Sequence, residues 1–465
     1  VIHAEEYTFG DGWQVADSPF IIGGYVSSVY ISEKNKRTFD IEDTKMKTSH
    51  LNSRRNFMKF VGASSLFAIT SGIAGDVTTT PHIVVVGGGF SGATCAKYLK
   101  MWGGSSVKVT IIETNPTYVS PILSNLVLNG QKKISDLYFT YGKLSSTYGI
   151  SMIHSTVSSI DKANRSLSLE NGNSVKYDRL VLASGIDFVQ VNNYDFTKVP
   201  HAWKAGEQTN LLKAQIDAMK DFDTFTMTIP AAPYRCPPGP YERACVVADY
   251  LKNVRGFTNC KVNVLDANPN ITVEADTFGA KFTEYGVKYI SSATVTAVDD
   301  NTKTLIYTKD SVSETLSSTV LNVISDQQAA PVVFTAGVNS GKWAPVNPLS
   351  YESTIASGIY IIGDLQATGQ PKAGHIGNSE AKVCADAILR TLNGVALYAS
   401  PKTNSACYSP TSTKEASWLT AVYEYDSSTK KMVIVGGKPT AGPSTANDYQ
   451  KMFLWSGNLF SDTFA

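Results

Sequence analysis

Residues 81–92 read PHIVVVGGGFSG, and no other stretch constrains the fold as much. An apolar strand, Ile83 to Val86, runs into Gly87-Gly88-Gly89-Phe90-Ser91-Gly92, and a helix-like stretch continues through Ala96, Tyr98 and Leu99. This is G-x-G-x-x-G in a strand–turn–helix setting. The first glycine permits the tight turn, the second lets a pyrophosphate approach the backbone, and the third lets helix and strand pack closely. The free N–H groups and positive dipole end of the helix then face the phosphates. A second strand, Val107 to Ile112, ends at Glu113, where an acid accepts hydrogen bonds from ribose hydroxyls and disfavours a 2′-phosphate. FAD or NAD fits such a site; NADP does not.

Two later segments select FAD. Tyr177 to Gly185 reads YDRLVLASG, and Gly358 to Asp364 reads GIYIIGD, both apolar strands ending in small-residue turns. Either alone reads as a buried parallel strand. In this order and spacing they match flavoenzymes with two dinucleotide domains, in which the second acid, here Asp364, bonds the ribityl chain. The expected cofactor-binding residues are Gly87, Gly89, Phe90, Ser91, Gly92, Glu113, Val157, Ala183, Gly185, Gly363 and Asp364.

A second α/β passage runs from a helix at Asn210 to Lys220, through a strand at Phe225 to Ile229 and a helix at Tyr241 to Lys252, to a strand at Lys261 to Asp266. Its turn reads Pro233-Tyr234-Arg235-Cys236-Pro237-Pro238-Gly239-Pro240. Proline carries no N–H, so this turn lacks the donors that a pyrophosphate needs, and NAD(P)H is not expected to bind.

Charge and cysteine usage exclude other classes. Lys+Arg 41 against Asp+Glu 40 leaves +1, so no general basic field exists for nucleic acid. The six cysteines and six histidines form no CxxC or HxxxH, which leaves no metal site and no attached haem. Cys95, Cys245 and Cys384 sit in Ala- and Val-rich helical stretches and read as core residues. Cys236 and Cys407 lie in Pro-, Ser- and Asn-rich loops, where a core role fits less well; six cysteines allow fifteen pairings, and composition selects none.

Ser53-Arg54-Arg55-Asn56-Phe57-Met58-Lys59, then an apolar small-residue run from Phe60 to about Ala74, looks like a twin-arginine export signal. The run is too short and too rich in Gly, Ser and Thr for a membrane span of ~20 apolar residues. Residues 1–45 are expected to be upstream or non-native sequence and 46–75 the signal, which places the protein in the periplasm with no transmembrane segment in the mature chain.

From Pro81 onward the chain resembles the flavoprotein subunit of flavocytochrome c sulfide dehydrogenase. The resemblance rests on PHIVVVGGGFSG, YRCPPGPYERA, YIIGD, GNSEAKVCADAI, Asn404-Ser405-Ala406-Cys407-Tyr408 and the tail Asp462-Thr463-Phe464. It implies a redox-active disulfide between Cys236 and Cys407 over the flavin, Glu242 beside it as a base, and Trp455 in a tail segment closing the flavin site. It implies hydrogen sulfide as substrate and a separate c-type cytochrome as electron acceptor. Family members often tether FAD through a cysteine in a tyrosine-rich segment; here that segment has Pro121 at the position, so FAD is expected to be non-covalent. A sulfide:quinone oxidoreductase using a membrane quinone, and a non-catalytic FAD-binding subunit of a cytochrome complex, are the competing expectations.

The expected fold class is α/β: two Rossmann-like domains, the first discontinuous, plus a C-terminal α+β domain. The FAD-binding domain is expected to take residues 76–190 and 311–398, a degenerate NAD-binding-like domain 191–310, and a C-terminal flavin-site domain 399–465.

Overall fold

The computed structural model describes residues 80–465, together with two short paired strands at Thr8–Phe9 and Trp13–Gln14. Apart from those strands, the expected upstream stretch and the twin-arginine signal lie outside the described residues.

The elements that build the site are, in chain order, β1 His82–Val86, α1 Phe90–Gly103, β2 Lys108–Ile112, β3 Ser151–Ile153 and β4 Arg179–Leu182. There follow β5 Thr224–Ile229, α2 Gly239–Asp249, β6 Lys261–Asp266, β7 Lys288–Ile290 and β8 Val320–Val323. The last group is β9 Ile359–Ile361, α3 Gly374–Leu392, β10 Lys402–Pro410, β11 Ala416–Asp426 and α4 Ala446–Phe464.

One parallel sheet has the order β9-β4-β1-β2-β3. Its β1 is buried except at His82, because a central parallel strand is covered on both faces and must be apolar throughout. β9 returns to this sheet some 180 residues after β4, so the chain leaves the sheet and comes back, as the discontinuous arrangement requires. A second parallel sheet, β7-β6-β5-β8, is the intervening α/β layer. Two antiparallel strands, Ile186–Val189 and Asp326–Ala329, carry the chain out and back between the sheets.

The C-terminal part is antiparallel. β10 pairs with β11 along its whole length, from Lys402 opposite Glu424 to Pro410 opposite Ala416. Helix α4 closes the structure: Tyr449, Met452, Leu459 and Phe464 are buried, and Phe464 stacks on Tyr118 and Phe139 with centroids 5.3 and 4.9 Å apart. The Lys97 ammonium donates to the Ser461 and Asp462 carbonyls at 3.2 and 2.9 Å, a cation placed where the helix dipole is negative. Cys95, Cys245 and Cys384 have no exposed surface, as their surroundings in the sequence suggest.

Candidate active site

The first sheet ends in a cavity of about 820 Å³, within the range of cofactor pockets. Gly87 has φ +103°, and a Cβ there would lie 2.6 Å from the Ala183 carbonyl oxygen, so only glycine makes this turn. A Cβ on Gly92 would collide with the Gly87 carbonyl, which is why α1 approaches β1 so closely. Gly89 caps α1 without a side-chain hydrogen bond, leaving the first N–H groups of the helix for a ligand. Glu113 stands across the turn and accepts from the Gly88 N–H at 2.8 Å.

Of the expected cofactor residues, Gly87, Gly89, Phe90, Ser91, Glu113, Val157, Ala183, Gly185 and Asp364 line this cavity. Gly92 and Gly363 lie behind the lining: Gly92 seats α1 on β1, and a Cβ on Gly363 would meet Ser91. Trp455, expected in the segment that closes the flavin site, is set by α4 in the neighbouring cavity that holds the cysteines. An elongated cavity with glycine-lined phosphate donors at one end and two acids along it fits an adenine dinucleotide.

Beside it lies a cavity of about 70 Å³, lined by Cys236, Cys407, Glu242 and Trp455 among others. The two cavities share Pro121, Arg235, Ala373 and Gly374 as lining, so they abut. Cys236 comes from the Pro-rich turn before α2 and Cys407 from the middle of β10, 171 positions later in the chain. All six cysteines are unbridged in the structure. Cys236 has φ +59°, a strained conformation for a side-chain-bearing residue, costing ~1–3 kcal/mol. It is held there from both sides: its N–H donates to the Lys372 carbonyl at 2.6 Å and its carbonyl accepts from Gly239 N–H at 2.9 Å.

Removal from water dominates the electrostatics. Burial, with the Glu242 charge second, pushes the Cys236 thiol up to about 12, while Arg235 opposes. Burial and Cys236 raise the Cys407 thiol too. Burial pushes Glu242 up to about 8, against the Asn125 hydrogen bond and the Arg243 charge, which favour the carboxylate. Glu242 therefore holds its proton at neutral pH, and a thiolate released in this cavity draws toward protonation.

Several residues of the site escaped the sequence reading. The Asn125 amide donates to Glu242 Oε1 at 2.8 Å and accepts from Arg243 Nε at 2.9 Å. Arg243 is 1% exposed and also donates to the Ala202 carbonyl and Asn322 Oδ1, at 2.6 and 3.0 Å. Glu380, on the α3 segment GNSEAKVCADAI, accepts from Gly363 N–H at 2.7 Å and from the Gln366 amide at 2.8 Å. It thereby fixes the turn that presents Asp364. Buried Lys372 donates to the Asp364 and Gln366 carbonyls at 2.9 and 2.7 Å. His375 Nδ1 accepts from Ala406 N–H at 2.9 Å and Trp455 Nε1 at 3.4 Å, which fixes its proton on Nε2 and ties α3 to the Cys407 strand. The available signals were an arginine next to Glu242 at the head of a helix that continues Ala-Cys-Val-Val-Ala, and an acid among small residues on another.

The second sheet ends differently. Asp266, at the tip of β6 where a ribose-binding acid would stand, has no exposed surface. Its carboxylate accepts from the Tyr241 and Tyr289 hydroxyls at 2.7 and 2.8 Å and from the Asn268 amide at 2.7 Å. Among the described residues no cluster of metal-binding side chains occurs, and no helix is long and apolar enough to cross a membrane.

Residues 209–325 match the family model of the sulfide dehydrogenase [flavocytochrome c] flavoprotein chain, central region, and residues 81–217 that of pyridine nucleotide-disulphide oxidoreductases. The chain is 30% identical over 105 residues to a sulfide-quinone reductase of Aquifex aeolicus, covering 22% of this chain and 24% of that protein. The first curated relatives are spanned over about a quarter of their own length. The solved sulfide:quinone oxidoreductase of Aquifex aeolicus superposes with a TM-score of 0.70 at 18% identity, over 83% of this chain and 92% of that one, a likeness of fold. The chain is 46% identical over 48 residues to the sulfide dehydrogenase [flavocytochrome c] flavoprotein chain of Chlorobaculum thiosulfatiphilum, 10% of this chain and 98% of that relative. With the glycine-lined cradle these matches make the protein an FAD-binding oxidoreductase. It belongs to the family of flavocytochrome c sulfide dehydrogenase flavoprotein chains, within the pyridine nucleotide-disulfide oxidoreductase-like flavoproteins.

Proposed function

We propose that the protein oxidises hydrogen sulfide through a Cys236–Cys407 disulfide and non-covalent FAD, and passes the electrons to a separate c-type cytochrome. The carrying observation is that two cysteines and a proton-holding acid line one small cavity abutting the dinucleotide cavity. A volume of about 70 Å³ has room for hydrosulfide or a few waters.

Hydrosulfide attacks one sulfur of the disulfide. The S–S bond breaks, a persulfide forms on one cysteine, and the other leaves as a thiolate. The surroundings favour thiol over thiolate, and Glu242 on the same wall supplies or takes a proton near neutral pH. Re-forming the cysteine disulfide releases one sulfur atom, one proton and two electrons. Bound FAD accepts electrons in pairs and releases them singly, which suits a haem acceptor. Pro121 lines both cavities at the tethering position and offers no thiol, which supports non-covalent binding. The buried apolar face of α4 supports a soluble acceptor over a membrane quinone, since Leu454, 70% exposed, is the large apolar side chain this helix leaves to solvent. The twin-arginine pattern supports export to the periplasm.

The test is anaerobic sulfide titration of the flavin spectrum, then reoxidation by cytochrome c or by decylubiquinone. The reading expects bleaching in the wild type, none in Cys236→Ser, and reoxidation by cytochrome c. Retained bleaching in the mutant overturns the disulfide, and preference for decylubiquinone overturns the cytochrome.

A further inference from the structure

A second buried acid stands on the Cys407 side of the cavity. Glu274 immediately precedes the helix Ala275–Tyr285 and adopts a left-handed conformation, φ +51°. An acid at this position ordinarily caps its own helix, because the N-terminal N–H groups are unsatisfied. Glu274 makes no such cap. Its side chain turns instead to β10, where Oε2 accepts from the Ser409 hydroxyl at 3.5 Å, while Oε1 is buried with no hydrogen-bond partner. The residue is 9% exposed. A buried, half-satisfied carboxyl in a strained backbone costs free energy from both causes and marks a place where function outweighs stability.

Ser409 has no exposed surface, yet it lines the cysteine cavity. On a strand, residues two apart share a face, so Ser409 is the same-face neighbour of Cys407, ~6–7 Å along β10. That separation is too long for a direct hydrogen bond, and the cavity that both residues line has room for the water or hydrosulfide that bridges it. The helix after Glu274 is clamped to the same sheet by Tyr285, whose hydroxyl donates to the Thr411 carbonyl at 3.0 Å, which fixes the distance from Glu274 to Ser409.

We propose that Glu274 is a second proton-exchanging group of the sulfur site, serving the Cys407 side of the cavity through the Ser409 hydroxyl as Glu242 serves the Cys236 side. This rests on the sulfide-oxidising reading. The step is a proton transfer alone: the Glu274 carboxyl gives its proton to Ser409 oxygen as the Ser409 proton passes through the cavity to the Cys407 thiolate. Re-forming the disulfide from the persulfide and the protonated Cys407 then releases two protons with the sulfur atom and the two electrons, and one of these protons restores Glu274. Burial pushes Glu274 up to about 7, against the neighbouring Ser417 and Ser409 hydroxyls, which favour the carboxylate. Among the described residues, the titratable groups that its charge reaches are Glu242 on α2 and Cys407 on β10. Lys281, on its own helix, is engaged by Glu284 and Glu415 at 3.0 and 2.9 Å, and no ion pair reaches Glu274 among the described residues. Glu274 is thus free to change charge near neutral pH.

The test uses the FAD-loaded full chain. Stopped-flow bleaching by sulfide is followed from pH 5 to pH 9 in wild type, Glu274→Gln, Ser409→Ala and the double variant. The proposal expects each single variant to lose on the order of 10²-fold in rate, the lower end for a positioned proton-transfer group, and to lose the ionisation near pH 7 from the profile. It expects the double variant to be no slower than either single one, because both groups act on one path. Additive losses, or an unchanged profile in Glu274→Gln, overturn it. Iodoacetamide alkylation of Cys407 in Cys236→Ser protein supplies a second measurement that needs no sulfide. A Glu274-dependent inflection near pH 7 supports the proposal even if sulfide never bleaches the flavin, and its absence overturns the proposal even if sulfide does.

Discussion

Replacing Glu242 by Gln tests whether this acid holds its proton in the folded protein. The carboxyl, 8% exposed, is pushed by burial from 4.5 to about 8. A raised folded-state value means that the folded chain binds a proton that the unfolded chain has already lost. Below pH 4.5 both states are protonated and burial of Glu242 carries no ionisation penalty. As pH rises from 4.5 to about 8 the penalty grows, and above that it is constant. At ~1.36 kcal/mol per pH step, the full gap amounts to about 5 kcal/mol. Gln keeps the shape, and its side-chain oxygen still accepts the 2.8 Å bond from Asn125, so the variant loses little packing. The two proteins should therefore be similar in stability at pH 4.5, within ~1 kcal/mol, and Gln should be more stable at pH 9 by ~4–5 kcal/mol. The buried acid Glu380, pushed up to about 8, titrates in both proteins and cancels from the comparison, whereas the Glu274 charge raises Glu242 and belongs to the difference being measured. Urea unfolding followed by circular dichroism across this range measures the difference. A wild-type-to-variant gap that stays constant with pH would falsify the buried-acid reasoning and, with it, Glu242's part in proton transfer.

Three further outcomes follow from the geometry. Gly87→Ala should yield protein without flavin, since its Cβ would lie 2.6 Å from the Ala183 carbonyl oxygen in a turn held at φ +103°; the flavin-to-protein absorbance ratio measures this. Asn125→Ala removes a bond that favours the Glu242 carboxylate and leaves Arg243 Nε unpaired, so it should cost ~1–3 kcal/mol in urea unfolding. It should also shift the Glu242 ionisation in the sulfide-bleaching profile to higher pH; a shift to lower pH would contradict the assigned network. Acid precipitation of the holoenzyme should leave all the flavin in the supernatant, and yellow colour in the pellet would refute non-covalent binding.

The parts of this structure that were legible in the sequence are the local ones. The dinucleotide cradle is encoded within about thirty residues, where a strand, three glycines and an acid each carry their own signal; β1 and β2 lie within a residue of where that signal puts them, and the helix read through Leu99 runs from Phe90 to Gly103. The turn carrying Cys236 was legible for the same reason, because proline has a fixed effect on its own backbone. What could not be read is what the tertiary fold brings together. Asn125 meets Glu242 across 117 positions and Ser409 meets Glu274 across 135, and nothing in the composition near either residue points to its partner. The tail sequence likewise does not say which cavity Trp455 lines, because α4 is seated on α1 by packing of Phe460 and Phe464 on Phe90.

The second sheet ends in a turn and an acid that are both otherwise engaged. A nicotinamide nucleotide needs donors at the turn after β5 and a free acid at the tip of β6. The turn offers prolines instead, and Asp266 is occupied by two tyrosine hydroxyls and an asparagine amide from its own chain. The same turn pushes Cys236 into a left-handed conformation against Lys372, at the wall shared with the dinucleotide cavity. This one turn thus lacks the N–H donors that a pyrophosphate needs and sets a sulfur at the wall of the dinucleotide cavity. Because Cys407 of β10 lines the same cavity as that sulfur, the proposed function makes the C-terminal sheet half of the sulfur site. On the proposed reading, shortening β10 should therefore impair sulfide-driven reduction before it impairs FAD binding, since β10 lends no residue to the dinucleotide cavity. Loosening α4 should impair both, because Phe460 and Phe464 pack on Phe90 of that cavity.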